Sequence, residues 1–259
     1  MNIVVCVKQV PDTNEVRIDP VKGTLIREGV PSIMNPDDKA ALEFALQVKD
    51  EHGGKVSVIS MGPPQAEDVL REALAMGADE AFLVTDRAFG GADTWATSQT
   101  IAGAVNKLDY DLIVCGRQAI DGDTAQVGPE MAEHLHVPNI SYAQSLKVDG
   151  NEVEVKRLYD EGYHVVRAKM PVLVTALSEA VKPRYMTPKG IHDAYKKEIK
   201  QWTRADVPVD DSNIGLKGSP TKVAQSFPKS VKAPGMKIEE SVEKSVQFIM
   251  DKLQEKYLL

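Results

Sequence analysis

Short apolar runs separated by segments with helical spacing organise the first two thirds of the chain. Ile3-Val4-Val5-Cys6-Val7 is a continuous β-type run without polar alternation, the pattern of a strand covered on both faces. Residues 56–60, 81–85, 112–115 and 172–176 repeat it. The intervening segments predict helices. Asn35 reads as an N-cap, with Pro36 at the first helical position and Asp37 and Asp38 in the first turn. Leu42, Ala45, Leu46 and Lys49 continue that helix until His52-Gly53-Gly54 ends it. Further helices are expected over about 65–76, stopped by Gly77, over about 93–108, and after Cys115, where Val127, Met131 and Leu135 share one face. Alternation of this kind predicts a parallel sheet with right-handed crossovers. Ligands then bind beyond the carboxyl ends of the strands. Those ends are residues 8–13, 60–64, 85–93 and 116–126.

Two regions depart from the alternation. Residues 145–155 and 158–169 predict an antiparallel hairpin insertion, about 143–169, with Asp149-Gly150 and Glu161-Gly162 as turns, placed before the last parallel strand, 172–176. Beyond Trp202 periodicity is lost. The stretch 206–235, with Pro208, Pro220, Pro228 and Pro234, reads as an extended arm, and a helix returns over about 239–256, its stripe being Val242, Val246, Ile249 and Leu253. The expected division is an α/β domain over 1–204 and an arm plus helix over 205–259.

The 259 residues are 42% apolar and 27% charged, which is globular composition with enough apolar side chains for a sizeable core. No run of eighteen apolar residues is present and the first residues do not read as a signal peptide. Cys6 and Cys115 alone make neither a disulfide framework nor a four-ligand zinc site, so a cytoplasmic location is expected. The net charge of −7 argues against general nucleic-acid binding. Against that acidic background, residues 182–204 hold seven basic and two acidic side chains, a candidate docking surface or merely a solvated face.

The segment richest in candidate chemistry is residues 115–126, between a strand end and a helix start. Gly116 and Gly122 admit close backbone approach, Arg117 is placed to face phosphate, and Asp123 or Thr124 is placed to cap the helix. It is neither a Walker loop nor a GxGxxG fingerprint, and a capped turn and a nucleotide site both remain open. Asn35-Pro36-Asp37-Asp38 is fully explained as helix capping. Met61-Gly62-Pro63-Pro64 and Gly90-Gly91 are strand–helix loops that allow close backbone contact. No catalytic constellation emerges: the five histidines lack metal spacing, the cysteines lie in strands, and no G-x-S-x-G elbow exists. A nucleotide-type site without acid, base or nucleophile implies that a cofactor carries the chemistry.

Residues 116–129, Gly-Arg-Gln-Ala-Ile-Asp-Gly-Asp-Thr-Ala-Gln-Val-Gly-Pro, resemble the signature loop of the electron transfer flavoprotein beta subunit. Val7-Lys8-Gln9-Val10-Pro11-Asp12-Thr13, Met34-Asn35-Pro36, residues 73–79 and Pro183-Arg184-Tyr185 also match, in the family's order. The resemblance implies a Rossmann-like, three-layer α/β domain that binds an adenine nucleotide and pairs with a flavin-bearing alpha subunit. Val10-Pro11-Asp12-Thr13, Asp121-Gly122-Asp123-Thr124 and residues 215–221 look like the electron-bifurcating type, which holds FAD in this subunit beside an NADH site. Bifurcation then delivers electrons to the alpha-subunit flavin with an acyl-CoA dehydrogenase and to ferredoxin or flavodoxin. The alternatives are a housekeeping carrier with structural AMP, and a nucleotide-binding regulatory module.

Carried onto this chain, the cofactor contacts fall on Cys6, Lys8, Asn35, Pro36, Asp37, Asp38, Ser60, Met61, Gly62 and the loop Gly116, Arg117, Gln118, Ala119, Ile120, Asp121, Gly122, Asp123, Thr124, Ala125, Gln126 and Val127. The NADH side falls on Val10, Pro11, Asp12, Thr13, Pro63, Pro64, Gly90 and Gly91. The dehydrogenase-docking loop falls on Arg184, Tyr185, Met186, Thr187, Pro188 and Lys189, where the family's leucine anchor is absent. The arm and helix over 205–259 are expected to pack on the alpha subunit, with the segment 215–221 helping to wrap it.

Overall fold

The structure, a computed structural model, describes residues 1–12, 31–224 and 234–259. It divides into two compact units, Met1–Gln225 and Ser226–Leu259. In the first, β1 (Asn2–Cys6) leads through the short strands β2 (Gln9–Pro11) and β3 (Ser32–Met34), paired antiparallel, into α1 (Pro36–His52). Then come β4 (Lys55–Met61), α2 (Glu67–Met76), β5 (Glu80–Val84), α3 (Thr94–Val105), β6 (Leu112–Gly116) and α4 (Val127–Leu135). A meander of β7 (Asn139–Asp149), β8 (Glu152–Tyr159) and β9 (Gly162–Lys169) follows, then β10 (Val172–Ala176), α5 (Pro188–Ala194), β11 (Ile199–Trp202) and the short α6 (Gly215–Gly218). The second unit contains α7 (Val242–Glu255).

Nine strands form one sheet in the order β11-β5-β4-β1-β6-β10-β7-β8-β9, parallel from β11 through the β10–β7 pair. The chain moves from β1 through β4 to β5 on one side and returns to place β6 on the other. Strand order therefore reverses at β1, and the crevice there opens at the carboxyl ends of β1 and β6. Alternate strand residues feed two cores. Ile3, Val5 and Val114 pack with Leu42, Leu46 and Leu70 of α1 and α2, whereas Val4, Ile113 and Leu173 pack with Ile101, Met131 and Leu135 of α3 and α4. These two cores establish the three-layer α/β architecture. Gly53 at φ +72 and Gly77 at φ +133 end α1 and α2 as their positions predict. No described helix is long and apolar enough to cross a membrane.

Three sequence expectations need correction. The insertion is a three-stranded meander, because β7 extends back to Asn139, where its leading half pairs parallel with β10 and its trailing half antiparallel with β8. Residues 172–176 are not the last parallel strand, since β11 pairs parallel with β5. Ile199-Lys200-Gln201-Trp202 alternates as a sheet-edge strand does, and its lysine belongs to the basic segment that reads as surface. Residues 206–224 of the expected arm fold onto the first unit's own body: Val207 and Ile214 are buried beside Phe82 and Val105, and Ser219 and Thr221 bond Asp93 in the loop after β5. Residues 225–233 of that stretch lie outside the described ones.

Candidate nucleotide site at the carboxyl ends of the strands

The start of α1 is the keystone of the crevice. Asn35 occupies the N-cap position but makes no capping hydrogen bond. Its side chain instead crosses to the loop after β6, where Nδ2 donates to the Gln118 carbonyl at 2.8 Å and Oδ1 accepts the Ile120 amide at 3.1 Å. Asp38 Oδ2 accepts the Lys8 amide at 2.8 Å and Oδ1 the Gly116 amide at 2.9 Å, so one carboxyl ties the ends of β1 and β6 together. Asp37 accepts the Ser178 amide at 3.0 Å and the Gln118 amide at 3.3 Å, with Arg117 Nε 3.3 Å from the same carboxyl. Helix capping therefore does not explain Asn35-Pro36-Asp37-Asp38. Asn35, Asp37 and Asp38 are buried polar side chains that bridge strand ends.

Gly116 is required by this arrangement. A Cβ there would strike the Asp38 carboxyl and the α1 backbone. Gly128 is comparably confined, since its Cβ would lie 2.7 Å from Thr175 Cγ2 and 2.9 Å from Cys115 Sγ. Burial lifts the Asp38 carboxyl to about 7, against the hydrogen bonds from the Lys8 amide, Asn35 and the Gly116 amide, with the Asp37 charge adding to the rise. Burial also pushes the Cys6 thiol up to about 12 and the Cys115 thiol well above its usual range, so both are inert core thiols. They are register partners across β1 and β6.

The loop 117–126 is held at its base and open at its tip. Lys8 Nζ binds Asp121 Oδ1 at 2.7 Å, and Gln118 Nε2 donates to Asp123 Oδ1 at 3.0 Å, so neither aspartate is left without a donor partner. The Arg117 amide donates to the Ala176 carbonyl at 2.9 Å, and its Nε–H, though close to Asp37, has no aligned acceptor. Neither Asp123 nor Thr124 caps α4. The cap position is Gln126, without a side-chain bond, because Asp123 and Ala125 take positive φ, +49° and +54°, and carry the chain into the helix at a different angle. Among the described residues the amides of Thr124, Ala125, Gln126, Val127 and Gly128 find no acceptor. Unpaired amides running through left-handed turns into a helix start form a concavity suited to phosphate oxygens. The residues present thus fit the phosphate of a nucleotide held by backbone amides, with Lys8 and Arg117 lying against carboxylates.

The other expected positions are adjacent. Met61 ends β4 beside β1, and Gly62, Pro63 and Pro64 turn into α2, tied to the β1 side by Gln9 Nε2 donating to the Gln65 carbonyl at 3.0 Å. Ser60 is 1% exposed and its hydroxyl has no partner among the described residues. Val10 and Pro11 are buried in β2, Asp12 is exposed, and Thr13 lies outside the described residues. Gly90 and Gly91 sit beyond β5, where the Gly90 carbonyl accepts the Leu216 amide at 3.1 Å. Asp93 caps α3 and also holds Thr221, its Oδ2 accepting from the hydroxyl at 2.7 Å. The 184–189 segment lies elsewhere and runs into the first residues of α5. Arg184 is clamped by Glu43 and Asp50, Thr187 caps α5, and Tyr185 is 84% exposed.

Residues that the sequence reading passed over complete the crevice. The Ser178 amide anchors Asp37, and Thr175 Oγ1 accepts the Tyr142 amide at 3.1 Å where Tyr142 adopts φ +60. The carboxyl end of 172–176 was the available signal, since it lies beside β6.

These features define a three-layer α/β domain with a candidate nucleotide site at the strand-order reversal. Residues 22–207 match the electron transfer flavoprotein domain. The chain is 60% identical over 259 residues, all of both chains, to the electron transfer flavoprotein subunit beta of Clostridium acetobutylicum. It is 50% identical over 262 residues, all of both chains, to the caffeyl-CoA reductase-Etf complex subunit CarD of Acetobacterium woodii. It is 46% identical over 268 residues, again all of both, to the acryloyl-CoA reductase electron transfer subunit gamma of Anaerotignum propionicum. The chain belongs to the electron transfer flavoprotein beta-subunit family.

Proposed function

We propose that this chain is the beta subunit of an electron-bifurcating electron transfer flavoprotein, binding FAD at the crevice between β1 and β6. The observation that carries the nucleotide reading is the row of amides from Thr124 to Gly128 that find no acceptor among the described residues, at the end of a loop whose residues 116–121 are held by Lys8, Asn35 and Asp38. When bound, the flavin would accept hydride from NADH and divide the electrons between the alpha-subunit flavin, serving an acyl-CoA oxidoreductase, and ferredoxin or flavodoxin. This chain's own residues bind and orient. The 124–128 amides receive phosphate oxygens without a mobile cation. Asp38 and Asn35 hold the loop 116–120 against β1, which fixes the cradle's position. The loops at Met61–Pro64 and Gly90–Gly91 are the proposed walls on the NADH side. Arg184 to Lys189 present the proposed docking face, with Tyr185 outward.

The reductase partners in the names of two relatives favour acyl-CoA redox chemistry for the complex. Val10-Pro11-Asp12-Thr13 and Asp121-Gly122-Asp123-Thr124 favour FAD over AMP. The test is the flavin and AMP content of the chain purified with its alpha subunit. Two FAD and no AMP per heterodimer are expected. One FAD with one AMP would overturn the bifurcating reading and leave a one-flavin carrier.

A further inference from the structure

The carboxyl end of α5 is held by a side chain of α2. Arg71 Nη1 donates to the Ala194 carbonyl at 2.6 Å and to the Lys197 carbonyl at 2.8 Å. Its Nη2 donates to Glu67 Oε1 at 2.6 Å, one turn back on its own helix. The same guanidinium lies over the Tyr195 ring, 5.5 Å from the centroid. Lys197 returns the contact, its Nζ donating to the Ala78 carbonyl at 2.7 Å just past the end of α2. Gly190 admits the close approach of the two helices, because a Cβ there would strike the Ala75 carbonyl.

Packing alone does not fix α5. The helix has seven residues, too few to be stable by itself, and Ala194 alone among them is buried. Arg71 therefore supplies by hydrogen bonds to carbonyls at the helix end the orientation that an apolar face supplies elsewhere. What the clamp orients faces outward. Ile191 is 41% and Tyr195 75% exposed. They continue the surface that Tyr185 and Met186 begin, and Tyr185, Gly190 and Asp193 line one cleft with the carboxyl end of α2. The leading end of the segment is fixed as well, by Arg184 between Glu43 and Asp50 and by the Thr187 cap. Exposed tyrosines on a backbone held at both ends form a preorganised contact surface. Lys182, Lys189 and Lys196 are exposed in the same segment.

We propose that Arg71 is the positioning residue of the docking segment: it fixes α5 and the Tyr195 ring, so that the docking face runs from Tyr185 to Tyr195. The inference rests on the docking reading of residues 184–189. The occupant is the acyl-CoA oxidoreductase of the complex, meeting this basic, aromatic face with an acidic surface around an apolar hollow. Arg71 is largely enclosed, its side chain 18% exposed, and acts through α5.

The test follows flavin reduction in the chain purified with its alpha subunit, driven by an acyl-CoA dehydrogenase and its acyl-CoA, as the heterodimer concentration is varied. The alpha-subunit flavin is the readout, so the result is independent of what the crevice holds. Arg71→Met is expected to raise KM for the heterodimer about tenfold with kcat unchanged. Arg71→Lys should recover part of that loss, since an ammonium reaches one carbonyl but not all three partners, and it keeps the test open should the methionine variant fold poorly. Tyr195→Ala, at an exposed position, should raise KM comparably. The double variant Arg71→Met with Tyr195→Ala should cost little more than either alone, because clamp and ring act as one unit. A merely structural clamp would lower the thermal midpoint and leave KM alone. KM unchanged in Arg71→Met and Tyr195→Ala but raised in Tyr185→Ala would overturn the inference and leave the docking reading standing. Fully additive effects of Arg71→Met and Tyr195→Ala would also overturn it. KM unchanged in all three single variants would overturn both.

Discussion

Asp38 carries two opposing demands in one side chain. Its two oxygens each accept a backbone amide, which favours the carboxylate, while burial favours the acid and lifts the group to about 7. In the unfolded chain an aspartate titrates near ~3.9. Between about pH 4 and 7 the folded chain therefore holds a proton that the unfolded chain has released. Stability falls as pH rises through that window, by up to about 1.4 kcal/mol per pH unit, and levels off above it. Asp38→Asn lacks this slope and leaves one amide facing an NH2 group. The variant should be less stable than wild type at about pH 5, with the gap narrowing toward about pH 7. Urea unfolding across that range checks this, and parallel profiles for the two proteins would refute it. The bridging role of these residues was not legible in the sequence. Asn, Pro, Asp and Asp at a helix start satisfy every local rule for capping, and only the sheet order shows that β6 passes within reach of the same side chains.

At the scale of elements, local pattern was a good guide where burial is two-sided. The runs at 3–7, 56–60, 81–85, 112–115 and 172–176 fall on strands to within one residue, Val7 and Thr85 lying just past the ends of theirs, because an apolar stretch covered on both faces has no competing use. The edge strand β11 and the three-stranded meander were missed or shortened because one-sided strands mix charge into the pattern. The segment 182–189 shows what charge alone conceals. Arg184 belongs to the basic stretch, yet its guanidinium is a structural clamp, bonded through Nε and Nη2 to Glu43 and through Nη2 to Asp50. Glu43 is 4% exposed and also accepts the Arg184 amide at 3.0 Å. Arg184→Ala leaves that carboxylate enclosed without its main cation. The expected cost is about 1–3 kcal/mol, below the value for a fully buried pair because the arginine is partly solvated. Arg184→Lys should recover little, since an ammonium cannot reproduce the fork. Urea unfolding of the three proteins measures this, and a lysine variant as stable as wild type would show the fork to be dispensable.

For the molecule as a whole, the second unit poses a different balance from the first. The body buries two cores against one sheet, whereas α7 is capped by Ser241 and has no described residue buried along its length. Its stripe is nonetheless apolar: Val242 is 75% exposed, Val246 54% and Ile249 56%. Residues at such spacing lie on one helical face, and a face of this kind gains free energy only when something covers it. As the proposed alpha-subunit contact, it gives separable expectations for fold and assembly. Val246→Asp combined with Ile249→Asp should leave the thermal midpoint of the body unchanged, because surface substitutions that touch no packing are close to neutral. Each of the two side chains contributes about 1.5–3 kcal/mol when fully buried. Association with the alpha subunit should then weaken at least about a hundredfold. Analytical ultracentrifugation of the mixed subunits, with calorimetry of the chain alone, reads both quantities. An unchanged association constant would remove α7 from the interface. A lowered midpoint of the chain alone would show instead that the stripe is covered by its own body.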